Sequence, residues 1–275
     1  MDATVYRSAE TQGRKPVNHG ATVEPKFKTV CRQAISLANG SRSLSVSEGY
    51  EHWAPIYDQE PNPLLAREER YLLPLLRELP NKRLLDLACG TGRWLARLTA
   101  LGCESGVGID CSSGMLRVAG AKHEITGRLA RASCDRLPFR AAAFDLAICS
   151  FALGHVHHLA PVVCELARVT KPGAAVFVSD LHHEAYTRGW RVGFRDEGAA
   201  VQIETLPHPA EEIVQTFASN GFECRTQLSL FLGDAEQPIF ARAGKSHSFA
   251  AACQLPAVLV CRFKRFDSMV DAPSA

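Results

Sequence analysis

The stretch from Arg83 to Gly92, R-L-L-D-L-A-C-G-T-G, constrains the fold of this chain more than any other. A short apolar run, Leu84 to Ala88, leads straight into Gly90-Thr91-Gly92, and Trp94-Leu95-Ala96-Arg97-Leu98 then follows with helical spacing. That order is strand, glycine turn, helix. Glycines let the backbone turn sharply and let a ligand lie against bare peptide groups. Downstream, Val107-Gly108-Ile109-Asp110 reads as a second strand ending in a carboxylate. A nucleotide-binding α/β domain takes ribose hydroxyls from that position.

The rest of the chain repeats the alternation. Strands are predicted over 84–88, 105–109, 129–132, 144–150 and 174–179, with helices over 93–100, 115–122 and 161–169. A helix over 209–220 and two terminal strands, 222–231 and 257–263, complete the pattern. Five alternations predict an α/β fold with a mostly parallel sheet and helices on both faces. Gly102 and Gly221 stand where helices should stop. Lys171-Pro172-Gly173 reads as a break between helix and strand. Residues 64–79 have helical spacing, offset or kinked by Pro74. Arg191–Phe194 and Val201–Thr205 should pair as a hairpin across Asp196-Glu197-Gly198. Residues 1–48 read either as a flexible tail or as a lid-like arm, with a short helix an option around Phe27–Ala38. The main domain then spans 49–266, with a substrate-facing insertion near 182–208 and a tail over 267–275.

Charge narrows the function. A net charge of +2 with scattered Lys and Arg gives no basic stripe for nucleic acid. No apolar run reaches the roughly 20 residues of a membrane span, and the polar N-terminus lacks an apolar signal core. The ten cysteines form no C-x-x-C pair and read as reduced, small apolar residues, which suggests a cytoplasmic setting.

The glycine loop excludes two common nucleotide sites. A phosphate-binding loop needs G-x-x-x-x-G-K-[ST], and the lysine and hydroxyl are missing. A nicotinamide or flavin site needs G-x-G-x-x-G, and Leu95 stands where the third small residue belongs. Asp86-Leu87-Ala88-Cys89-Gly90-Thr91-Gly92 instead resembles the first motif of the class I S-adenosylmethionine-dependent methyltransferases. Val107–Asp110 with Ser112, Ser113 and Met115 resembles that family's second segment, and Cys134–Phe139 its third. Phe144–His155, Glu165–Gly173 and Val176–Asp180 resemble the later motifs in order. The subgroup is similar to the ubiquinone/menaquinone-methyltransferase-like (type 11) enzymes. Tyr50–Asp58 resembles their Y-D-x-x-A-x-x-Y-D signature, with Glu51 replacing the usual Asp.

The resemblance implies a Rossmann-like, seven-stranded, mostly parallel sheet with an antiparallel last strand. It implies S-adenosyl-L-methionine as cofactor and methyl transfer to a small organic acceptor through O, N or C. A non-catalytic, adenosylmethionine-binding regulatory protein is the alternative. Asp86 would hold the ammonium and Ala88, Cys89, Gly90 and Gly92 the amino-acid end. Asp110 would take the ribose diol and Asp135 the adenine amine, with Cys111, Cys134 and Arg136 as further cofactor-binding candidates beside them. Tyr57 completes the set, with Met115 against the adenine and Ser150 facing the methionine part, although the last two serve equally well as packing or cap residues.

Two histidine-bearing loops, Gly154–His158 and Leu181–Glu184, follow predicted strands. A neutral imidazole can take a proton near pH 7, so His182 and His155 are the candidate general bases. No H-E-x-x-H occurs, and no metal is assigned. Tyr50 and Trp53 either cap the core or cover a pocket. Tyr186, Trp190, Arg191 and Arg195 either line an acceptor site for a planar or acidic small molecule or form a solvated hairpin. The expected assembly is a monomer or homodimer.

Overall fold

The computed structural model describes residues 42–59, 61–79, 82–103 and 105–267. The expected helix around 27–38 lies outside them. The chain enters as strand β1 (Arg42–Leu44) and helix α1 (Val46–Trp53). Ser45 and Glu48 form the start signal of α1: the Ser45 side chain accepts from Glu48 N, and its hydroxyl donates to the Glu48 carboxylate at 2.7 Å. Pro55 then tightens the chain into a single 3-10 turn. Helix α2 (Pro63–Arg77) carries Pro74 inside it without ending there.

β2 (Leu84–Leu87), α3 (Arg93–Ala100), β3 (Gly106–Asp110), α4 (Ser113–Gly120) and β4 (Leu129–Arg131) build one half of the main sheet. β5 (Phe144–Ser150), α5 (Leu159–Val169) and β6 (Thr170–Leu181) begin the other. Gly102 stops α3 in a left-handed conformation (φ 93°), and Cys103 N donates to Leu98 O at 2.9 Å. α6 (His183–Thr187) precedes a hairpin of β7 (Gly193–Asp196) and β8 (Ala199–Ile203). Its two-residue turn, Glu197-Gly198, has positive φ at both positions, the twist that matches paired strands. α7 (Ala210–Ser219), β9 (Phe222–Phe231), α8 (Gln237–Arg242), α9 (Ser246–Ala252) and β10 (Pro256–Arg265) complete the chain. α8 and α9 lie where the composition reads as a long loop; both are shorter than the window over which helical periodicity can be read.

The main sheet has seven strands in the order β4-β3-β2-β5-β6-β10-β9, and β10 runs antiparallel to both its neighbours. This is the expected Rossmann-like arrangement, with an antiparallel last strand. One face buries α2, α3, α8 and α9 around Trp94, Leu72 and Phe240; the other buries α5 and α7 around Phe217 and Phe263. Among the described residues no helix is long and apolar enough to cross a membrane.

Lys171-Pro172-Gly173 does not separate helix from strand, as its composition suggests. β6 begins at Thr170, directly after α5, and the three residues bulge out of it: Phe144 pairs with Thr170, while Leu146 pairs with Ala175. A bulge gives proline, which has no N–H to donate, a place outside the ladder.

A second, three-stranded sheet, β1-β8-β7, sits apart from the first. It clamps α1 against α4 through Leu44, Trp53, Phe194, Val201, Ile203 and Met115. At Gly49 a Cβ would fall 2.6 Å from Ile203, so only glycine lets α1 lie this close to β8. The last residues of the expected N-terminal arm, 42–48, belong to this small layer.

Candidate functional site

The chain runs outward from β2 to β4, then returns to place β5 beside β2. Ligands of such sheets bind beyond the strand ends at that reversal. Here Ala88 and Phe151, the residues just after β2 and β5, both have positive φ, 53° and 51°. Each non-glycine residue in this region costs about 1–2 kcal/mol. The two turns pull the chain away from the strand ends and open a cleft of about 1030 Å³, its mouth included.

Asp86 lies under the cleft and is 2% exposed. Its Oδ2 accepts from Leu95 N at 3.0 Å, which leaves Oδ1 for a ligand. Burial pushes its carboxyl up to about 7, against the smaller lowering effect of the Leu95 bond. Asp110 ties the neighbouring strand to the loop: Oδ2 accepts from Gly90 N and Oδ1 from Ser112 N, both at 2.8 Å.

The two loop glycines answer different demands. Gly90 has φ 54° and an added Cβ would meet nothing within 4 Å. Gly92 has φ 77° and does not line the cleft; a Cβ there would fall 2.5 Å from Ile125 and 3.3 Å from Ala119. Gly92→Ala is therefore expected to lower fold stability by about 2–4 kcal/mol, from backbone strain plus overpacking. Gly90→Ala should cost about 1–2 kcal/mol, from strain alone. Urea unfolding of both variants checks this; equal losses would refute the distinction.

A buried polar cluster supports the floor. Glu68 of α2 is 0% exposed and accepts from Arg93, Ser150 and Ser179. Arg93 also donates to Ser150 at 3.1 Å and lines the cleft. Neither Glu68 nor Arg93 was anticipated. The sequence does hold a signal: Leu64, Glu68, Leu72 and Leu76 fall every four residues, so Glu68 stands on the buried face of α2.

The entry segment forms the roof. Glu51, the departure from the resembled signature, accepts from Gly114 N (2.8 Å) and Ser112 Oγ (3.0 Å) at the N-terminus of α4. These bonds hold its carboxyl below the usual range. Asp58 accepts from Thr91 Oγ1 at 2.7 Å and pairs with Lys122 at 2.8 Å, which fastens the segment to the glycine loop. Tyr50 and Tyr57 line the cleft, while Trp53 is buried between Tyr50 and Phe194. The segment therefore both caps the small core and covers the cleft.

Tyr50 also meets His155 at 2.8 Å from hydroxyl to Nε2. His155 Nδ1 lies 3.0 Å from Glu204 O. A carbonyl only accepts, so Nδ1 carries the proton and Nε2 accepts from the Tyr50 hydroxyl. Burial lowers the pKa of His155 and favours the neutral ring.

Of the other sequence-derived positions, Ala88, Cys89, Cys111, Met115, Cys134 and Ser150 line the cleft with those already named. Asp135 and Arg136 do not; both are exposed on the turn after β4. His182 does not face the cleft either. Its Nδ1 caps α6 by accepting from Glu184 N, and its Nε2 meets Ser229 Oγ at 3.0 Å. The loop after β6 turns toward β9, whereas the loop after β5 turns over the cleft. Trp190 is buried in the main core, and Arg195 is exposed and donates to Gly198 O on the hairpin. Tyr186 and Arg191 line an outer groove that touches His155 from the far side, with the Arg191 guanidinium 4.1 Å above the Tyr186 ring.

Comparison with known proteins agrees with this geometry. The Methyltransferase domain family matches residues 85–178, from β2 into β6. A demethylmenaquinone methyltransferase of Renibacterium salmoninarum is 30% identical over 150 residues, 53% of this chain and 62% of that protein. A phthiotriol/phenolphthiotriol dimycocerosates methyltransferase of Mycobacterium leprae is 28% identical over 166 residues, 60% of this chain and 59% of that protein. The biotin biosynthesis bifunctional protein BioHC of Cellvibrio japonicus is 29% identical over 53% of this chain and 29% of its own length. The chain thus spans less than two thirds of these relatives. Among solved structures, an S-adenosylmethionine-dependent methyltransferase from Mesorhizobium loti superposes with a TM-score of 0.53 at 24% identity, covering 70% of this chain and 97% of that one. The [4+2]-cyclase SpnF gives 0.56 at 16% identity, covering 84% and 100%. These two show the shared fold. The family match, the relatives and the strand order thus agree: residues 85–178 of this chain match a methyltransferase domain, set in a Rossmann-like fold.

Proposed function

We propose that the chain transfers the methyl group of S-adenosyl-L-methionine to a small organic acceptor. The observation that carries this is the pair of carboxylates, Asp86 and Asp110, at the ends of adjacent strands in one cleft, with an unobstructed glycine turn between them. The donor carries an ammonium, a ribose diol and an adenine, and the residues present fit them. Asp86 Oδ1 takes the ammonium, Asp110 the diol, and the bare backbone at Gly90 the amino-acid end. Met115, Cys111 and Cys134 supply the apolar wall for the base. Arg93, fixed by Glu68, offers its charge to the donor's carboxylate. The bound donor supplies an electrophilic methyl group. His155 takes a proton from the acceptor side through the Tyr50 hydroxyl. The nine free cysteines among the described residues support a reducing, cytoplasmic setting.

Calorimetry with S-adenosylmethionine and S-adenosylhomocysteine tests the reading, and absence of binding by folded protein would end it. The pH dependence adds a specific expectation. The folded Asp86 carboxyl sits at about 7, above its ordinary value of 3.8, so the unliganded fold holds an extra proton between them. Its contribution to stability is full below about 4 and is lost as pH rises through about 7. An ammonium favours the ionised carboxylate. Ligand affinity should therefore rise with pH up to about 7 with release of a proton, and Asp86→Asn should abolish that rise. Labelled methyl transfer into a metabolite extract separates turnover from a regulatory protein that only binds the donor.

A further inference from the structure

We propose that the acceptor is a small organic amine, seated as its ammonium in an aromatic recess whose anionic anchor is Asp180. The inference rests on the methyltransferase reading above. The recess is small, about 30 Å³ of enclosed space, enough for the cationic head of the acceptor; it adjoins the cleft and shares Tyr50, Tyr57, Leu65 and Phe151 with it.

Three observations select the charge of the occupant. Asp180 is 6% exposed, and among the described residues its carboxylate accepts from Gly154 N and Leu181 N, each at 2.7 Å. Two of the roughly four acceptor positions of a carboxylate are thus used. Among the described residues no Lys or Arg lies within ion-pair distance of it. Burial without such a partner pushes its carboxyl up to about 6, an environment that a bound cation relieves. Space is also kept for the anchor: a Cβ at Gly154 would press to 3.3 Å from Asp180 Oδ1.

The second observation is the wall. Tyr50, Trp53, Tyr57 and Phe151 bring four rings to one recess, and aromatic faces attract organic cations. Trp53, stacked between Tyr50 (5.8 Å) and Phe194 (5.3 Å), fixes that wall to the small sheet. The third is the other charge at the recess, Arg191, which is already committed. Its Nη1 donates to Tyr186 O and Trp190 O at 2.7 Å, and its guanidinium stacks on Tyr186. A neutral alcohol of the same shape would gain a hydrogen bond to Asp180 but neither the ion pair nor the cation–π attraction.

The same geometry frees the nucleophile. An ammonium must lose a proton before its nitrogen can attack. Tyr50 lines both recess and cleft and donates to the unprotonated Nε2 of His155, so the proton passes through its hydroxyl to that imidazole. The nitrogen lone pair then forms the new N–CH₃ bond. The electron pair of the broken carbon–sulfur bond stays on sulfur, and the imidazolium returns its proton to solvent.

The test is calorimetric titration of the full chain, saturated with S-adenosylhomocysteine at pH 7.5, with 2-phenylethylamine and with 2-phenylethanol. The amine should bind at least about tenfold more tightly, as one desolvated charge pair requires. Asp180→Asn should remove that preference and leave the affinity for S-adenosylhomocysteine unchanged. Equal affinities, tighter binding of the alcohol, binding of neither, or a preference that survives in Asp180→Asn overturns the proposal. The comparison on the unaltered chain stands alone if the variant fails to fold. Loss of S-adenosylhomocysteine binding in the unaltered chain would instead remove the methyltransferase reading itself, so the two failures are distinct.

Discussion

Glu68→Ala is expected to destabilise the fold by about 3–5 kcal/mol, the usual cost of removing one partner of a buried ion pair. Glu68 has no exposed surface, and its carboxylate accepts from the Arg93 guanidinium and from the Ser150 and Ser179 hydroxyls. Alanine leaves a buried guanidinium without its counter-charge and two hydroxyls without their acceptor. The remaining acid near Arg93, Glu69, is 3.6 Å away and does not replace it. Arg93 lines the cleft, so the loss should also appear as weaker binding of S-adenosylhomocysteine. Urea unfolding measures the first effect and calorimetry the second. The paired change Glu68→Leu with Arg93→Leu should recover much of the stability, because it removes both charges, but none of the affinity. A loss below about 1 kcal/mol for Glu68→Ala would show that the cluster is not a true buried pair.

Asp110→Ala should weaken S-adenosylhomocysteine binding by roughly 100-fold, or about 3 kcal/mol, the order expected when charge-assisted hydrogen bonds to a diol are removed. The same carboxylate holds Gly90 N and Ser112 N, so part of the loss comes from release of the glycine loop. Asp110→Asn separates the two contributions, since the amide keeps one acceptor oxygen for the loop and loses the charge. Calorimetry on both variants decides it. An affinity unchanged in Asp110→Ala would refute the assigned ribose contact, whatever the fold.

These two expectations also mark how far the sequence could be read. Asp110 was legible because its place is set locally: a strand ends, a turn begins, and the carboxylate stands at a fixed distance from the glycine loop in sequence. Asp86, Gly90 and the alternation of strands and helices along the chain were legible for the same reason. A period of two or of 3.6, punctuated by glycine, determines a strand or a helix over a few residues. Glu68 was not, because its partners are 25, 82 and 111 residues away. Only the packing of α2 beside the sheet brings them together.

The histidines show the same limit on the functional side. His155 and His182 each follow a strand of the same sheet, and nothing in their local sequence separates them. The structure does so through the loops. His155 is held over the cleft by Tyr50 and Glu204, while His182 caps α6 and meets Ser229. Likewise Trp190 and Arg195 are an aromatic and a guanidinium in the right segment, yet one is core and the other surface.

The sequence by itself determined the α/β layering, the order of strands and turns along the chain, and the carboxylates and glycine turn at the floor of the cleft. These depend on contacts between neighbours in the chain and on backbone conformations that only certain residues adopt. The tertiary structure alone decided what lies above the cleft. The roof of α1 under a separate small sheet, the Tyr50–His155 pair and the recess over Asp180 are all made by residues distant in sequence. Side-chain direction at the end of a strand depends on the turn that follows, and burial depends on what packs above it, neither of which a local pattern encodes.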